Sequence, residues 1–117
     1  MLKVHSSEFN YQYGDQIHFP YRISSLVAYI RSKEVLNKNF DFQKVGVLRE
    51  NVDEYIQECK DADILLCSCY VWNWEITNFL ASEVHKINPN CTIVFGGAHV
   101  PDFSEDFFKN HPYVDFI

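Results

Sequence analysis

Short apolar runs rich in β-branched residues alternate along this chain with longer segments of helical period. Four of these runs have the length and composition of strands, at residues 42–48, 63–68, 91–95 and 114–117. The middle runs are apolar enough to be covered on both faces, which is typical of a parallel sheet. Residues 2–6 form a weaker first strand. The pattern therefore predicts five strands.

Segments of helical period separate the predicted strands. The first helix is predicted over residues 20–36, with Pro20 well placed in its first turn. Its apolar stripe consists of Ile23, Leu26, Val27 and Ile30. Asn51 and Glu54 resemble a capping box and mark the start of a short second helix.

Two further helices are predicted in the second half of the chain. Asn73 is placed to cap the third helix, which ends near the sequence Asn88-Pro89-Asn90. Its inward stripe should consist of Ile76, Phe79, Leu80, Val84 and Ile87. A fourth helix is expected over residues 104–110. The aromatic residues that should anchor it are Phe103, Phe107 and Phe108.

This alternation predicts an α/β fold with a doubly wound parallel five-stranded sheet in three α/β/α layers. The flavodoxin-like strand order 2-1-3-4-5 is favoured and a Rossmann-like order is the alternative. Residues 1–117 form one domain. Because no closing helix follows the last strand, one sheet face should be bare. We therefore expect a fragment truncated on its C-terminal side, or a chain that pairs with another subunit and self-associates through residues 70–74 or 114–117.

Charge and composition exclude several classes of function. The formal net charge of −6 disfavours binding to nucleic acid or to anionic membranes. No apolar run approaches the roughly 20 residues of a membrane span, and residues 1–9 lack the apolar core of a signal peptide. We expect a cytoplasmic protein. The four cysteines are expected to be buried reduced thiols, although their even number also allows disulfides.

Ligands of such folds bind beyond the carboxyl ends of the strands, which here means the loops at 6–20, 68–74 and 96–103. The pair Gly96-Gly97 lets a ligand approach the backbone, or makes a tight turn. Tyr70, Trp72 and Trp74 suit stacking on a planar cofactor, docking of another domain, or a local staple over the third helix.

The first loop is longer than the usual 2 to 6 residues of such connections, and extra length at this edge is more often functional. It lacks the glycine-rich motifs of dinucleotide and nucleoside triphosphate sites. No histidine or cysteine pair has metal-ligand spacing. Cys69 and His99 could meet as nucleophile and base, but nothing in the sequence orients the base.

Residues 62–117 carry a resemblance to a known family. The sequences ADILLCSCYVWN, INPNCTIVFGGAHV and PYVDFI closely resemble the cobalamin-binding domain that precedes the catalytic barrel of many radical S-adenosylmethionine (radical SAM) enzymes. The sequence PYRISSLVAYI in the first half resembles the first helix of those domains more loosely. The resemblance implies a module that presents cobalamin to a catalytic domain.

The resemblance also implies which residues would contact the cofactor. Ser68 and Gly96-Gly97 match the positions that accommodate the nucleotide tail, and Tyr70 replaces a second small residue. The loops around this tail contain Ser68, Cys69, Tyr70, Val71, Trp72, Gly96, Gly97, Ala98 and His99. The first loop, with Tyr13, Gly14 and Asp15, would face the corrin.

The motif D-x-H-x-x-G, whose histidine ligates cobalt in other cobalamin domains, is absent. Asp15 and His18 approach it with the wrong spacing, so no histidine lower ligand is expected from this chain. The motif C-x-x-x-C-x-x-C of the catalytic barrel is also absent. The iron-sulfur cluster and S-adenosylmethionine would therefore belong to a catalytic domain outside this chain, which has no catalytic or metal-binding residues of its own.

Two other functions are alternatives to a cobalamin-binding module. A cofactor-free interaction domain would use the same aromatic edge to dock a catalytic partner or substrate. A receiver-type signalling domain fails, because the strand that ends near Ser68 offers no acidic phosphoacceptor.

Overall fold

The computed structural model describes residues 1–102 and 104–117. Its sheet contains four parallel strands in the order β2-β1-β3-β4. They are β1 (Leu2–Asn10), β2 (Phe40–Leu48), β3 (Ile64–Ser68) and β4 (Thr92–Gly96). Because β1 pairs with both β2 and β3, the order is flavodoxin-like and differs from the Rossmann-type alternative. The predicted α/β class and parallel sheet are confirmed.

The predicted fifth strand is reduced to one parallel bridge between Val94 and Phe116, so the sheet has four strands rather than five. As predicted, the segment lies beside β4. Phe95 N of β4 donates a hydrogen bond to Phe116 O at 2.9 Å. The Asp115 carboxylate accepts a hydrogen bond from Ile93 N at 2.8 Å. The Asp115 side chain therefore occupies the Ile93 N–H group, which in a regular strand pair would bond to a backbone carbonyl.

The helices are α1 (Tyr21–Arg31), α2 (Glu34–Asn37), α3 (Val52–Glu58), α4 (Trp74–Ile87) and α5 (Glu105–Asn110). The single first helix predicted over 20–36 is interrupted, because Lys33 is extended and Ser32 Oγ donates to Tyr29 O at 2.6 Å. The expected capping box of α3 is also wrong. Asn51 makes no side-chain cap, since a 3₁₀ turn over Arg49–Asn51 leads directly into the helix.

The buried stripe of α4 differs from the predicted one. Its buried residues are Thr77, Leu80, Ala81 and Val84. Phe79 and Ile87 are each 43% exposed, so the helix turns its smaller residues toward the sheet. In α5, the Ser104 hydroxyl accepts from Phe107 N at 3.2 Å, and Phe107 is buried. Phe103, the third predicted anchor, lies outside the described residues.

The two faces of the sheet are covered unequally. On one face, side chains from the strands pack with α3, α4 and α5 into the main core. The other face carries α1, and an apolar cavity of about 260 Å³ remains beside Leu26 and Ile30. Phe116, at the edge of this cavity, is 61% exposed. Self-association through this edge stays a prediction. None of the described helices is both long and apolar enough to cross a membrane.

A buried tyrosine hydroxyl supplies hydrogen bonds at a register shift between β1 and β2. Val4 pairs with Phe42, but Ser6 pairs with Val45, so β2 contains one extra residue in this interval. The Tyr55 hydroxyl reaches this point, accepts from Ser6 N at 3.1 Å and donates to Ser6 O at 2.6 Å. It thereby satisfies backbone groups next to the register shift.

We predict that Tyr55→Phe lowers the free energy of unfolding by about 1–3 kcal/mol, because it leaves buried backbone groups without a partner. Urea denaturation followed by circular dichroism would measure the change. Tyr29→Phe is the matched control, since Tyr29 is 60% exposed. Equal midpoints for the two variants would contradict this role of the hydroxyl.

Candidate functional site

The loops after β3 and β4 are joined by backbone hydrogen bonds. Cys69 N donates to Gly96 O at 2.7 Å, and His99 N donates to Cys69 O at 3.2 Å. The Cys69 peptide is thus held on both sides by the β4 loop. The structure brings the two predicted loops together at the carboxyl edge of the sheet, as a parallel arrangement requires.

The two glycines at the end of β4, Gly96 as its last residue and Gly97 directly after it, serve different purposes. Gly97 has a φ of +105°, and a Cβ there would lie 2.7 Å from the Cys69 carbonyl oxygen. A φ in this range is unfavourable for residues that have a Cβ, so Gly97 is required by the local backbone. At Gly96 a Cβ would meet nothing within 4 Å. A side chain at Gly96 would project into open space, whereas one at Gly97 would collide with the protein itself.

A narrow groove of about 180 Å³ runs between the first half of α1 and the ends of β3 and β4. It is lined by Arg22, Ile23, Leu26, Leu66, Cys67, Ser68, Val94, Gly96 and Gly97. Ser68, which is buried, and the two glycines are the predicted residues that this groove brings together. Most of the remaining lining is apolar.

A wider cavity of about 450 Å³ opens beyond the end of β1. It is lined by Asn10, Tyr11, Tyr13, His18, Phe19 and Trp72. Trp72 is fixed at both ends, because its Nε1 donates to Asn10 Oδ1 and its carbonyl accepts from Arg49 Nη1, each at 2.9 Å. The Arg49 guanidinium also lies over the Tyr11 ring at 4.4 Å. These contacts hold the aromatic walls in place.

Tyr70 lies between the groove and this aromatic cavity. Its ring stacks on Trp72, with centroids 4.4 Å apart and planes 7° from parallel. The Arg22 guanidinium lies over the same ring at 4.3 Å. Two planar groups cannot share one ring face at these distances, so Arg22 and Trp72 occupy opposite faces. Arg22, Tyr70 and Trp72 thus form a three-layer stack. Arg22 lines the groove and Trp72 lines the aromatic cavity, so the stack joins a wall of one to a wall of the other.

The aromatic loop is only partly exposed, which corrects the expectation for its three rings. Tyr70 is buried, and only Trp72, at 45% exposure, offers a large accessible surface. Trp74 packs edge-on against Phe95 and His99, with centroids 5.8 and 4.9 Å away. Of the three interpretations, local packing at the start of α4 therefore fits Trp74.

Asn73 organises the start of this loop. Its side chain is fully buried, and its Oδ1 accepts from Tyr70 N at 2.8 Å. Its Nδ2 donates to Phe9 O and Ser68 O at 3.1 and 3.0 Å. The expected side-chain cap of α4 is absent, because the amide is committed to the ends of β1 and β3 instead.

The loop after β1 begins later than predicted. Residues 6–10 belong to β1, where Ser6, Ser7 and Glu8 are buried because the strand has neighbours on both sides. The Glu8 carboxylate accepts from Ile23 N at 3.0 Å and thereby holds the start of α1. Polar residues at these positions made the strand appear to end early.

The first loop contributes only part of its predicted residues. Tyr13 lines the aromatic cavity, but Gly14 and Asp15 do not. They form a tight turn, closed by reciprocal backbone hydrogen bonds between Tyr13 and Gln16, in which Gly14 has a φ of +59°. The composition of this loop is that of a turn, so its glycine is explained without a ligand.

The remaining predicted residues lie beside the cavities without lining them. They are Cys69, Tyr70, Val71, Ala98 and His99. Sequence reasoning missed Arg22. Asn10, Tyr11 and Phe19 lie within the predicted loop at 6–20 but are not among its proposed cofactor contacts. The position of Arg22 in the sequence could have indicated it, because it lies in the first turn of the predicted first helix. That helix is expected to begin at the carboxyl edge of the sheet, where the ligand loops lie.

The proposed pairing of Cys69 with His99 does not form. Burial raises the pKa of the Cys69 thiol to about 12, and its Sγ faces Cys67 O at 3.6 Å. The His99 ring packs against Trp74. All four cysteines are free and buried, which confirms reduced thiols. Within residues 1–102 and 104–117, no three histidine, cysteine or acidic side chains are grouped to hold a metal ion.

Comparison with known proteins adds two relatives, while no family model matches the chain. The 2-(S-pantetheinyl)-carbapenam-3-carboxylate methyltransferase of Streptantibioticus cattleyicolor is 42% identical over 78 residues, which are 67% of this chain and 12% of that protein. The cobalamin-dependent radical SAM methyltransferase TokK of Streptomyces tokunonensis is 38% identical over 92 residues, 79% of this chain and 14% of that protein.

Both of these homologues are methyltransferases. The chain spans only about an eighth of their length. The similarity is therefore to one segment of each relative, which is consistent with a cobalamin-binding type of domain.

We predict that Asn73→Ala lowers the free energy of unfolding by about 2–4 kcal/mol, because two carbonyls and one amide lose a buried partner. Chemical denaturation followed by tryptophan fluorescence would show both the loss of stability and a change in the surroundings of Trp72 and Trp74. Asn37→Ala on the exposed surface of α2 serves as the control. A variant at position 73 that unfolds at the same denaturant concentration as this control would contradict the role of the amide.

Proposed function

We propose that this chain is the cobalamin-holding module of a radical SAM methyltransferase. The observation that carries the proposal is the pairing of two cavities at one edge of the sheet. A larger aromatic cavity, lined by Trp72, and a smaller groove, lined by Arg22, lie on either side of the Tyr70 stack. Cobalamin combines a broad macrocycle with a narrow nucleotide tail. The name of the relative TokK, a cobalamin-dependent enzyme, supports the same assignment.

The groove has the features that a nucleotide tail requires. At Gly96 no atom lies within 4 Å of the position that a Cβ would take, so a planar base can approach the backbone there. Ser68 supplies a hydroxyl at the base of the groove, and Leu66 and Val94 supply apolar walls. Most small-molecule sites share this combination of apolar walls with a few polar groups.

The aromatic cavity suits the macrocycle. Tyr13 and Phe19 are 65% and 70% exposed, although aromatic rings are usually covered in a folded protein. Together with Trp72 they would bind the corrin and shield it from water. Bound cobalamin would supply the cobalt centre for methyl transfer. The iron-sulfur cluster and S-adenosylmethionine would be held by a catalytic domain of the parent protein.

A cofactor-free docking domain is the second candidate. Tyr21 and Val71 are 70% and 71% exposed and lie outside both cavities. Exposed apolar residues around a cavity rim favour contact with a protein partner. This surface would also suit a catalytic domain that closes over the cofactor, so only a binding measurement separates the two candidates.

We predict that the purified protein binds hydroxocobalamin with 1:1 stoichiometry, seen as a change in the visible spectrum during titration. Gly96→Val should weaken binding more than about 10-fold, because the added methyl groups occupy the groove. Ala98→Val, on the same loop but outside both cavities, should bind normally. Gly97→Val is unsuitable as a test, since its side chain would meet the Cys69 backbone.

The titration also decides between the two candidates. A spectrum that does not change at any concentration would favour the docking domain. Normal binding by Gly96→Val would remove the groove from the site.

We predict that no histidine of this chain coordinates the cobalt ion, because the motif D-x-H-x-x-G is absent. His18 lies in the aromatic cavity and is the residue to test. The electron paramagnetic resonance spectrum of the cob(II)alamin complex should be the same for unlabelled protein, for protein containing ¹⁵N-histidine and for His18→Ala. A nitrogen splitting that changes with the label would show histidine coordination.

A further inference from the structure

The groove contains one charged side chain among the described residues that line it, Arg22. Arg22 lies in the first turn of α1, and Tyr70 holds its guanidinium in place by stacking at 4.3 Å. The rest of the lining is apolar apart from the Ser68 hydroxyl. Arg22 is itself exposed, so its suitability for an anion comes from its fixed orientation at the groove and not from exclusion of water.

The donors of Arg22 are not used by the protein. Stacking engages the flat face of a guanidinium and leaves the N–H groups at its edge free. In the described part of the chain, the Arg22 side chain makes neither a salt bridge nor a hydrogen bond. Arg49 is different, because it lies over Tyr11 and also donates to Trp72 O. Arg22 is therefore oriented but unpaired.

An acidic side chain of β1 that contacts the start of α1 is already engaged. Glu8 Oε2 accepts from Ile23 N at 3.0 Å and is buried beneath the start of the helix. It forms no salt bridge with Arg22. An arginine without a salt-bridge partner in the described part of the chain is available to an anionic ligand, although the net charge of the chain is −6.

We propose that Arg22 binds the phosphodiester group of the cobalamin nucleotide tail, an inference that rests on the proposed function. The planar fork of a guanidinium matches two phosphate oxygens, which makes arginine well suited to this group. The same guanidinium is stacked through Tyr70 on Trp72 in the aromatic cavity. A tail held by Arg22 is thus positioned relative to the wall that faces the macrocycle.

The test compares two corrinoids, hydroxocobalamin and aquohydroxocobinamide, of which the second lacks the phosphate and the nucleoside. Arg22→Gln should weaken binding of hydroxocobalamin about 10-fold and leave binding of the cobinamide within about 2-fold. Arg22→Lys, which keeps the charge but loses the planar fork, should give an intermediate loss. Arg31→Gln is the matched control, because Arg31 ends the same helix and lies near Phe42, away from the groove.

The outcomes separate this inference from the proposal on which it rests. If the wild-type protein binds neither corrinoid, both are wrong. If it binds both, and Arg22→Gln changes neither affinity or weakens both equally, the phosphate assignment is wrong while the cofactor assignment stands. Thermal unfolding of each variant, expected to match that of the wild type because Arg22 is exposed, checks that the fold is intact.

Discussion

The candidate site depends on one buried amide. Asn73 joins the carbonyl groups at the ends of β1 and β3 to the amide of Tyr70, in a place that water does not reach. Buried polar groups of this kind tolerate few alternatives, since each lost partner costs free energy. The turn that follows β3 therefore has one preferred geometry. That geometry places Tyr70 between Arg22 and Trp72 and so separates the two cavities.

Much of the fold could be predicted because its physical causes are local. Alternating strands and helices require right-handed crossovers, and these place the carboxyl ends of β1, β3 and β4 at one edge. The meeting of Ser68 with Gly96 follows from that rule. The limits of β1 could not be predicted, because Ser6, Ser7 and Glu8 are polar and are buried only through tertiary pairing on both sides.

The finer features of the site depend on contacts between distant segments. Phe79 looks more suited to a core than Thr77, yet the orientation of α4 buries the threonine and exposes the phenylalanine. The orientation of the Arg22 guanidinium depends on Tyr70, which lies 48 positions further along the chain. The separate roles of Gly96 and Gly97 also could not be predicted from the sequence. Their pairing indicates a close approach, but only the structure distinguishes Gly97, packed on Cys69, from Gly96, open to the groove.

The burial of the four cysteines has a consequence for metal chemistry elsewhere in a larger protein. Iron binds thiolates, and burial raises the pKa values of Cys59 and Cys69 to about 12 and of Cys91 to about 11, and it raises the pKa of Cys67 well above its usual range. These sulfur atoms stay protonated and inaccessible at neutral pH. If the proposed function is correct, this domain would not compete for iron while the cluster is assembled on the catalytic domain.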